Sequence, residues 1–176
     1  MSITFENKIF HLRSSGSSLV MQVTSSGYLA HLYYGHSLPD GDYRFETLAP
    51  VLPQGSFFPN PPQEDELISL ATAMMEYPCY GTGDFRPSAI AAVGADGSPA
   101  VDLRYVSHRI YAGKPAIPGL PATYAGEQDA DTLEIDMQDH TGLMVTLIYT
   151  AFRDYPVITR SVRAENRGDH TITLER

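Results

Sequence analysis

The sequence predicts an all-β domain, and three observations carry that expectation. Apolar and polar residues alternate in short runs, the period-2 pattern of a half-buried strand. Turn-forming pairs recur at roughly 8–12-residue spacing between those runs, which gives about a dozen strands and the pattern of a β-sandwich. Only one window, Glu66 to Met75, has helical spacing, at Leu67, Leu70 and Met74; no internal repeat, heptad or low-complexity tract competes.

The elements follow in order. Phe5 to Arg13 alternates around a turn expected at Asn7-Lys8. Ser17 to Thr24 is a strand with Leu19, Met21 and Val23 on one side. Ser25-Ser26-Gly27 turns the chain into aromatic-rich, strand-prone Tyr28 to Tyr34. These segments read as a meander. Residues 36 to 65 hold Pro39, Pro50, Pro53, Pro59, Pro61 and Pro62, which interrupt regular structure. A loop that long is uncommon. Phe45, Phe57 and Phe58 argue for an ordered arm, because disordered segments are poor in aromatics.

Ser88 to Val93 is a strand candidate before an Asp96-Gly97 turn. Ala100 to Tyr111 reads as one long strand with Leu103, Tyr105, Ser107, Arg109 and Tyr111 on one face. Lys114 to Tyr124, with three prolines, is another loop. Thr132 to Met137 points Leu133, Ile135 and Met137 inward. Leu143 to Phe152 is apolar on both faces, as a central strand covered on both sides should be. Val157 to Glu165 alternates, Asn166 to Asp169 turns, and Thr171 to Leu174 begins another strand.

A chain of 176 residues suits one domain, 1–176, with a real core and is short for two. The formal net charge is −9, and the 12 Lys and Arg form no basic patch. That balance repels phosphate backbones and argues against nucleic acid and anionic membrane partners. One cysteine, Cys79, allows neither an internal disulfide nor a cysteine zinc site. The N-terminus lacks a charged start followed by an apolar run, and no apolar stretch approaches the ~18 residues of a membrane span. The expectation is a soluble, cytoplasmic protein. The chain stops at Thr173-Leu174-Glu175-Arg176 still in strand register, which is expected of a piece of a longer polypeptide.

The centre of the chain is Glu76-Tyr77-Pro78-Cys79-Tyr80-Gly81-Thr82-Gly83-Asp84-Phe85-Arg86. Gly81 and Gly83 permit positive φ, and Asp84 and Arg86 stand two apart, on one face if the segment is a strand. Two readings stay open: a strand–turn–strand junction held by an ion pair, or a ligand site.

This stretch resembles the N-terminal domain of the family 36 glycoside hydrolases, the bacterial-type α-galactosidases. Other segments agree in order: Gly27 to Gly35, Phe58-Pro59-Asn60-Pro61, Asp102 to Tyr111, Gly113-Lys114-Pro115, Gly119 to Tyr124 and Val157 to Ser161. The resemblance runs from about Phe10 to Arg176. Tyr34 stands where the family usually has Trp, Met74-Met75 where it has Pro-Gln, and Pro87 falls one position early, so the chain resembles a divergent member. The resemblance implies a two-sheet antiparallel β-supersandwich preceding a catalytic (β/α)₈ barrel. It also implies an extended Glu66 to Met75, ranked above the short helix. It implies a parent enzyme that hydrolyses terminal α-linked galactose from melibiose and raffinose with retention, needs no metal and often forms tetramers. In the family, the loop matching residues 36 to 65 reaches a neighbouring subunit's active-site mouth with an Asp, and that position falls on Gln54 here.

The search for chemistry in this chain is otherwise spare. A retaining glycosidase needs two carboxylates about 5–5.5 Å apart. Glu64, Asp65 and Glu66, and Glu127, Asp129 and Asp131, read as solvated acidic loops. No Lys-Trp-Asp is present and the chain has no Trp, so no catalytic residue is assigned. The six histidines show no ligand spacing, and no cofactor or metal site is expected. Nothing around Cys79 would activate a thiol. The candidates are Gln54, which the resemblance implies for substrate binding and which locally reads as an exposed loop residue between Pro53 and Gly55, and Gly81, Gly83, Asp84 and Arg86 as a structural junction. A stand-alone carbohydrate-binding module, stacking sugars on its 11 Tyr and 7 Phe, and an oligomer-building scaffold are the other readings.

Overall fold

The computed structural model describes residues 2–39, 41, 70 and 73–175. Among them it is all-β, without a helix. Strands β1 (Ile3–Glu6), β2 (Ile9–Arg13), β3 (Ser17–Val23) and β4 (Leu29–His36) form an antiparallel meander in that order. The β1–β2 turn puts Asn7 at φ 50° and Lys8 at φ 65°. Two successive left-handed residues match the right-handed twist of the paired strands, so a two-residue hairpin selects them.

Among the described residues strand β5 (Ala92–Val93) pairs only with β10 (Thr173–Leu174). The second large sheet is again an antiparallel meander: β6 (Arg104–Ala112), β7 (Ala130–Gln138), β8 (Leu143–Phe152) and β9 (Ile158–Asn166). The two meanders share one core. Phe10, Leu12, Leu19, Met21 and Val23 from the first join Leu133, Ile135, Val145, Leu147 and Tyr149 from the second. Strand β8 lies between β7 and β9 and is buried on both faces, as its continuous apolar run predicts. On its outer face Thr146 Oγ1 donates to Asp136 Oδ1 at 2.7 Å, and Thr150 and Thr132 share a hydroxyl hydrogen bond of 2.9 Å. Burial of those hydroxyls is thereby compensated.

Several expectations are corrected. The described residues contain ten strands, against about a dozen read from the spacing. The Ala100 to Tyr111 segment enters the sheet only at Arg104, and its ladder shifts register between Tyr105 and Ser107. Such a bulge adds one residue and reverses the facing of everything after it. Tyr105 stands opposite core residue Met137, while Ser107 and Arg109 stand opposite outward Asp136 and Glu134. The core-side face after the bulge carries His108 and Ile110, opposite Ile135 and Leu133. The Ser88 to Val93 candidate is regular only at Ala92–Val93, because Ile90 is diverted into a parallel bridge with Cys79. Asp131 is no loop residue: it lies fully buried on β7, joined to Arg153 at 2.7 Å and to the hydroxyl and backbone N–H of Ser2. Of the Glu66 to Met75 segment only Leu70 and residues 73–75 are described, and Met75 bridges Ala30.

Candidate functional site

The central stretch begins along the outer edge of β4 and then bridges Ile90 at Cys79. The backbone of β4 receives it: His31 N–H donates to Met74 O at 2.7 Å, and Glu76 N–H donates to Leu29 O at 3.0 Å. This delivers the Glu76 carboxylate into the interior between the sheets. There Tyr149, only 1% exposed, donates its hydroxyl to Oε1 at 2.7 Å. His31 Nδ1 lies 2.6 Å from Oε2, and Arg160 Nη1 lies 3.2 Å from Oε1. Arg160 Nη2 also donates to the Glu76 backbone carbonyl at 3.1 Å. One carboxylate thus ties β4 to β8 and β9. Burial, with Glu76 adding to it, pushes the Tyr149 phenol well above its usual range.

Residues 81–86 form an irregular loop rather than a strand, yet Asp84 and Arg86 meet. Arg86 Nε donates to Oδ1 at 2.8 Å and Nη2 donates to Oδ2 at 2.7 Å. The Arg86 backbone N–H adds a third bond to Oδ1 at 3.0 Å. The Asp84 side chain is 2% exposed and that of Arg86 35%, so the acid is desolvated and the base reaches water. Between them Phe85 projects outward, 79% exposed. Gly81 has φ 95° and Gly83 φ 90°. At Gly81 a Cβ would also fall 2.6 Å from Ala100 Cβ and 3.0 Å from Ala100 Cα, so two requirements select glycine there.

The same device occurs at Asp102 and Arg104, also two apart and bidentate, with both contacts at 2.8 Å. Arg104 Nη1 donates to Ser26 O at 2.6 Å, and its guanidinium lies 3.8 Å over the Tyr28 ring. A narrow cleft bordered by Tyr28 and Asp84 is lined mostly by apolar side chains, among them Leu29, Tyr77, Cys79, Leu103 and Met137. Burial pushes the Cys79 thiol up to about 12, over the opposing backbone hydrogen bond at Leu103. A thiol so placed is not a nucleophile at neutral pH.

The remaining buried carboxylates are also engaged. Glu134 is held by Arg109, Tyr111 and Arg163. Asp139 accepts from the backbone N–H groups of Thr141 and Leu143. Asp131 is raised by burial but brought net below the usual carboxylate range by Arg153 and Ser2. His108 is packed against Phe5 and Phe10 and hydrogen-bonded to the Tyr105 hydroxyl at 2.8 Å. Sequence reasoning missed the Glu76 hub; its one signal was a lone glutamate beside Tyr77-Pro78. Gln54 and the acidic run Glu64 to Glu66 lie outside the described residues.

Fold and junction together define a two-sheet antiparallel β-sandwich domain whose central stretch links the sheets. The chain belongs to the glycosyl hydrolase family 36 N-terminal domain family, whose profile matches residues 27–176. It is 48% identical to alpha-galactosidase AgaA of Geobacillus stearothermophilus over 180 residues, which is 100% of this chain and 24% of that protein. The crystal structure of alpha-galactosidase AgaB from the same organism superposes with a TM-score of 0.87 at 46% identity, over 99% of this chain and 24% of that one. The galactosidase domain of the alpha-galactosidase–sucrose kinase AgaSK gives a TM-score of 0.88 at 36% identity, over 99% of this chain and 24% of that chain. Variants of AgaA have been crystallised with raffinose and with stachyose. The chain therefore spans about a quarter of the length of the relatives it matches.

Proposed function

We propose that this chain is the non-catalytic N-terminal domain of an α-galactosidase, supporting a catalytic barrel elsewhere in the parent polypeptide and taking part in subunit assembly. The observation that carries the reading is the state of its acids. Each buried carboxylate among the described residues is bound by the domain's own arginines, hydroxyls or backbone amides. A retaining hydrolysis needs a nucleophile and an acid/base free to meet the sugar. The parent's substrates on this reading are terminal α-galactosides of the raffinose and melibiose kind, in line with the sugars bound by AgaA variants. The parent acts in the cytoplasm as a homo-oligomer, a tetramer by family resemblance, and needs no cofactor. Gln54 lies at a substrate pocket completed by a neighbouring subunit, and the Asp84–Arg86 pair with Gly81 and Gly83 anchors the junction.

The experiment is hydrolysis of raffinose and of an aryl α-galactoside by the parent protein and by the 176-residue chain. The parent should release galactose and the chain alone should not. Turnover by the chain that is lost on mutating one of its own Asp or Glu residues would overturn the reading. For Gln54, a Gln54→Ala parent with kcat/KM unchanged within about twofold would remove that residue from the site. A second reading, a stand-alone carbohydrate-binding module, draws on the outward rings of Tyr80, Phe85 and Tyr124. Calorimetric titration of the chain with melibiose decides it: millimolar or tighter binding, abolished by Phe85→Ala, would favour the module.

A further inference from the structure

The buried acids of this domain have partners within it, and one buried base does not. Lys114 is 8% exposed. Among the described residues its ammonium has no hydrogen bond or ion pair, whereas its backbone N–H and carbonyl are both bonded. The nitrogen keeps some access to solvent: the sealed, unpartnered side-chain polar atom among the described residues is Gln22 Oε1. A charge taken out of water without a counter-charge is costly, so such groups pair or meet a ligand.

The backbone fixes the root of this side chain. Lys114 N–H donates to Ala125 O at 2.9 Å, and its carbonyl accepts from Ala125 N–H at 3.1 Å. Gly113 before it has φ 81°, donates its N–H to Ala130 O at 2.7 Å and accepts from Thr132 Oγ1 at 2.7 Å. A Cβ at Gly113 would fall 3.2 Å from Ala125 O and 3.4 Å from the Glu127 nitrogen, so the 125–127 backbone packs against it. Pro115 disfavours helical backbone at Lys114. The acids nearest in sequence do not neutralise the cation. Glu127 and Asp129 are exposed, and Asp129 Oδ2 accepts from Gly126 N–H at 3.0 Å. The loop between Lys114 and Ala125 also leaves Leu120 and Tyr124 facing water.

We propose that Lys114 is the receptor for a carboxylate, an Asp or Glu side chain from the part of the parent α-galactosidase outside these 176 residues. The inference rests on the reading above, in which the parent is a longer polypeptide. The family relatives are about four times the length of this chain, so on that reading most of the molecule is available to supply the acid. A small inorganic anion is the poorer occupant: it would meet the charge and leave Leu120 and Tyr124 in water, whereas a polypeptide segment covers them. A second copy of residues 1–176 is also disfavoured, because its buried acids are already bound and two chains of formal charge −9 repel. An ammonium has three donors and a carboxylate is an acceptor only, so the pair satisfies both groups with charge-assisted bonds.

The test is amine acetylation and carbodiimide coupling of the parent protein, read by peptide mapping. The chain holds two lysines, and Lys8, exposed on the β1–β2 turn, is the internal reference. Acetic anhydride should modify Lys114 at least ~10-fold more slowly than Lys8, the ratio that a charge-assisted hydrogen bond of ordinary strength sets. Burial alone also slows acetylation, so the coupling decides. A carbodiimide activates a carboxylate; an amine in contact with it, losing a proton, takes the acyl group to form an amide, and the carbodiimide leaves as its urea. The Lys114 nitrogen should be found in an amide with an Asp or Glu outside residues 1–176. Acetylation of Lys114 as fast as Lys8 overturns the proposal. So does coupling to an acid within residues 1–176, of the same or a second copy, and so does a slow Lys114 that couples to nothing. Raffinose hydrolysis by the same parent sample scores the functional reading separately: an active parent without the cross-link sinks the carboxylate site alone, and an inactive parent with it sinks the function alone.

Discussion

Glu76 should be among the most costly side chains to remove from this domain. Its carboxylate is 5% exposed and receives Tyr149, His31 and Arg160, from three strands in two sheets. Glu76→Ala leaves the Tyr149 hydroxyl, itself buried, without its acceptor; an unsatisfied buried group costs about 1–3 kcal/mol. It also strands the Arg160 charge. Breaking a fully buried pair costs about 3–5 kcal/mol, but the Arg160 side chain is 41% exposed and regains water, which reduces that cost to about 2 kcal/mol. The total expected is about 3–5 kcal/mol, or roughly 6–20 °C in Tm for a domain of this size. Tyr149→Phe removes one donor and leaves Glu76 its other partners, so it should cost about 1–2 kcal/mol. The assay is urea unfolding of the wild type, both single variants and the double variant. The cycle should give a coupling of about 1–2 kcal/mol between the two positions, since they share a hydrogen bond. A Glu76→Ala protein within about 0.5 kcal/mol of wild type, or a coupling near zero, refutes the hub.

Four shorter expectations accompany it. Gly81→Ala should destabilise by about 2 kcal/mol or more, since the Cβ meets Ala100 and the φ of 95° is unfavourable for any side chain; thermal melting checks this. Asp84→Ala should lower stability by about 2–4 kcal/mol, discounted for the solvent access of Arg86, whereas an unchanged Tm with lost sugar binding would make the residue functional. Cys79, buried and pushed up to about 12, should react with an aromatic disulfide only at the rate of unfolding, and stoichiometric labelling of the native protein within seconds would contradict that. Burial lowers the His108 imidazole below its unfolded value of about 6.5, so its contribution is complete above that pH and lost as pH falls through the lowered folded value. Stability should drop on acidification below about pH 6.5, and His108→Phe should flatten that part of the profile.

The strands were legible wherever one face is buried and the ladder is regular. The two meanders follow from alternation and from turn pairs such as Asn7-Lys8, because period-2 burial leaves its mark on each strand separately. The bulge at Val106 leaves no such mark. It inserts a residue without changing composition, so a reading by alternation put Ser107 and Arg109 on the face of Tyr105, where His108 and Ile110 in fact follow it. The Asp84–Arg86 contact was legible for a reason independent of the strand assumed for it. A two-residue separation lets a guanidinium fold back onto the carboxylate even from irregular backbone, and Asp102 with Arg104 repeats the arrangement from the start of β6.

The Glu76 hub was not legible, because its partners lie 45, 73 and 84 residues away and only the packing of β4 against β8 and β9 brings them together. Asp131 was misread for the same reason: beside Glu127 and Asp129 it looks like a loop acid, and only its distant partners Ser2 and Arg153 make it a buried one. Local pattern thus located the sheets, whereas the fate of the acids depended on long-range contacts. That dependence matters for function, since a carboxylate pair read from sequence spacing would have suggested chemistry, and the fold instead binds each buried acid among the described residues to a partner of its own.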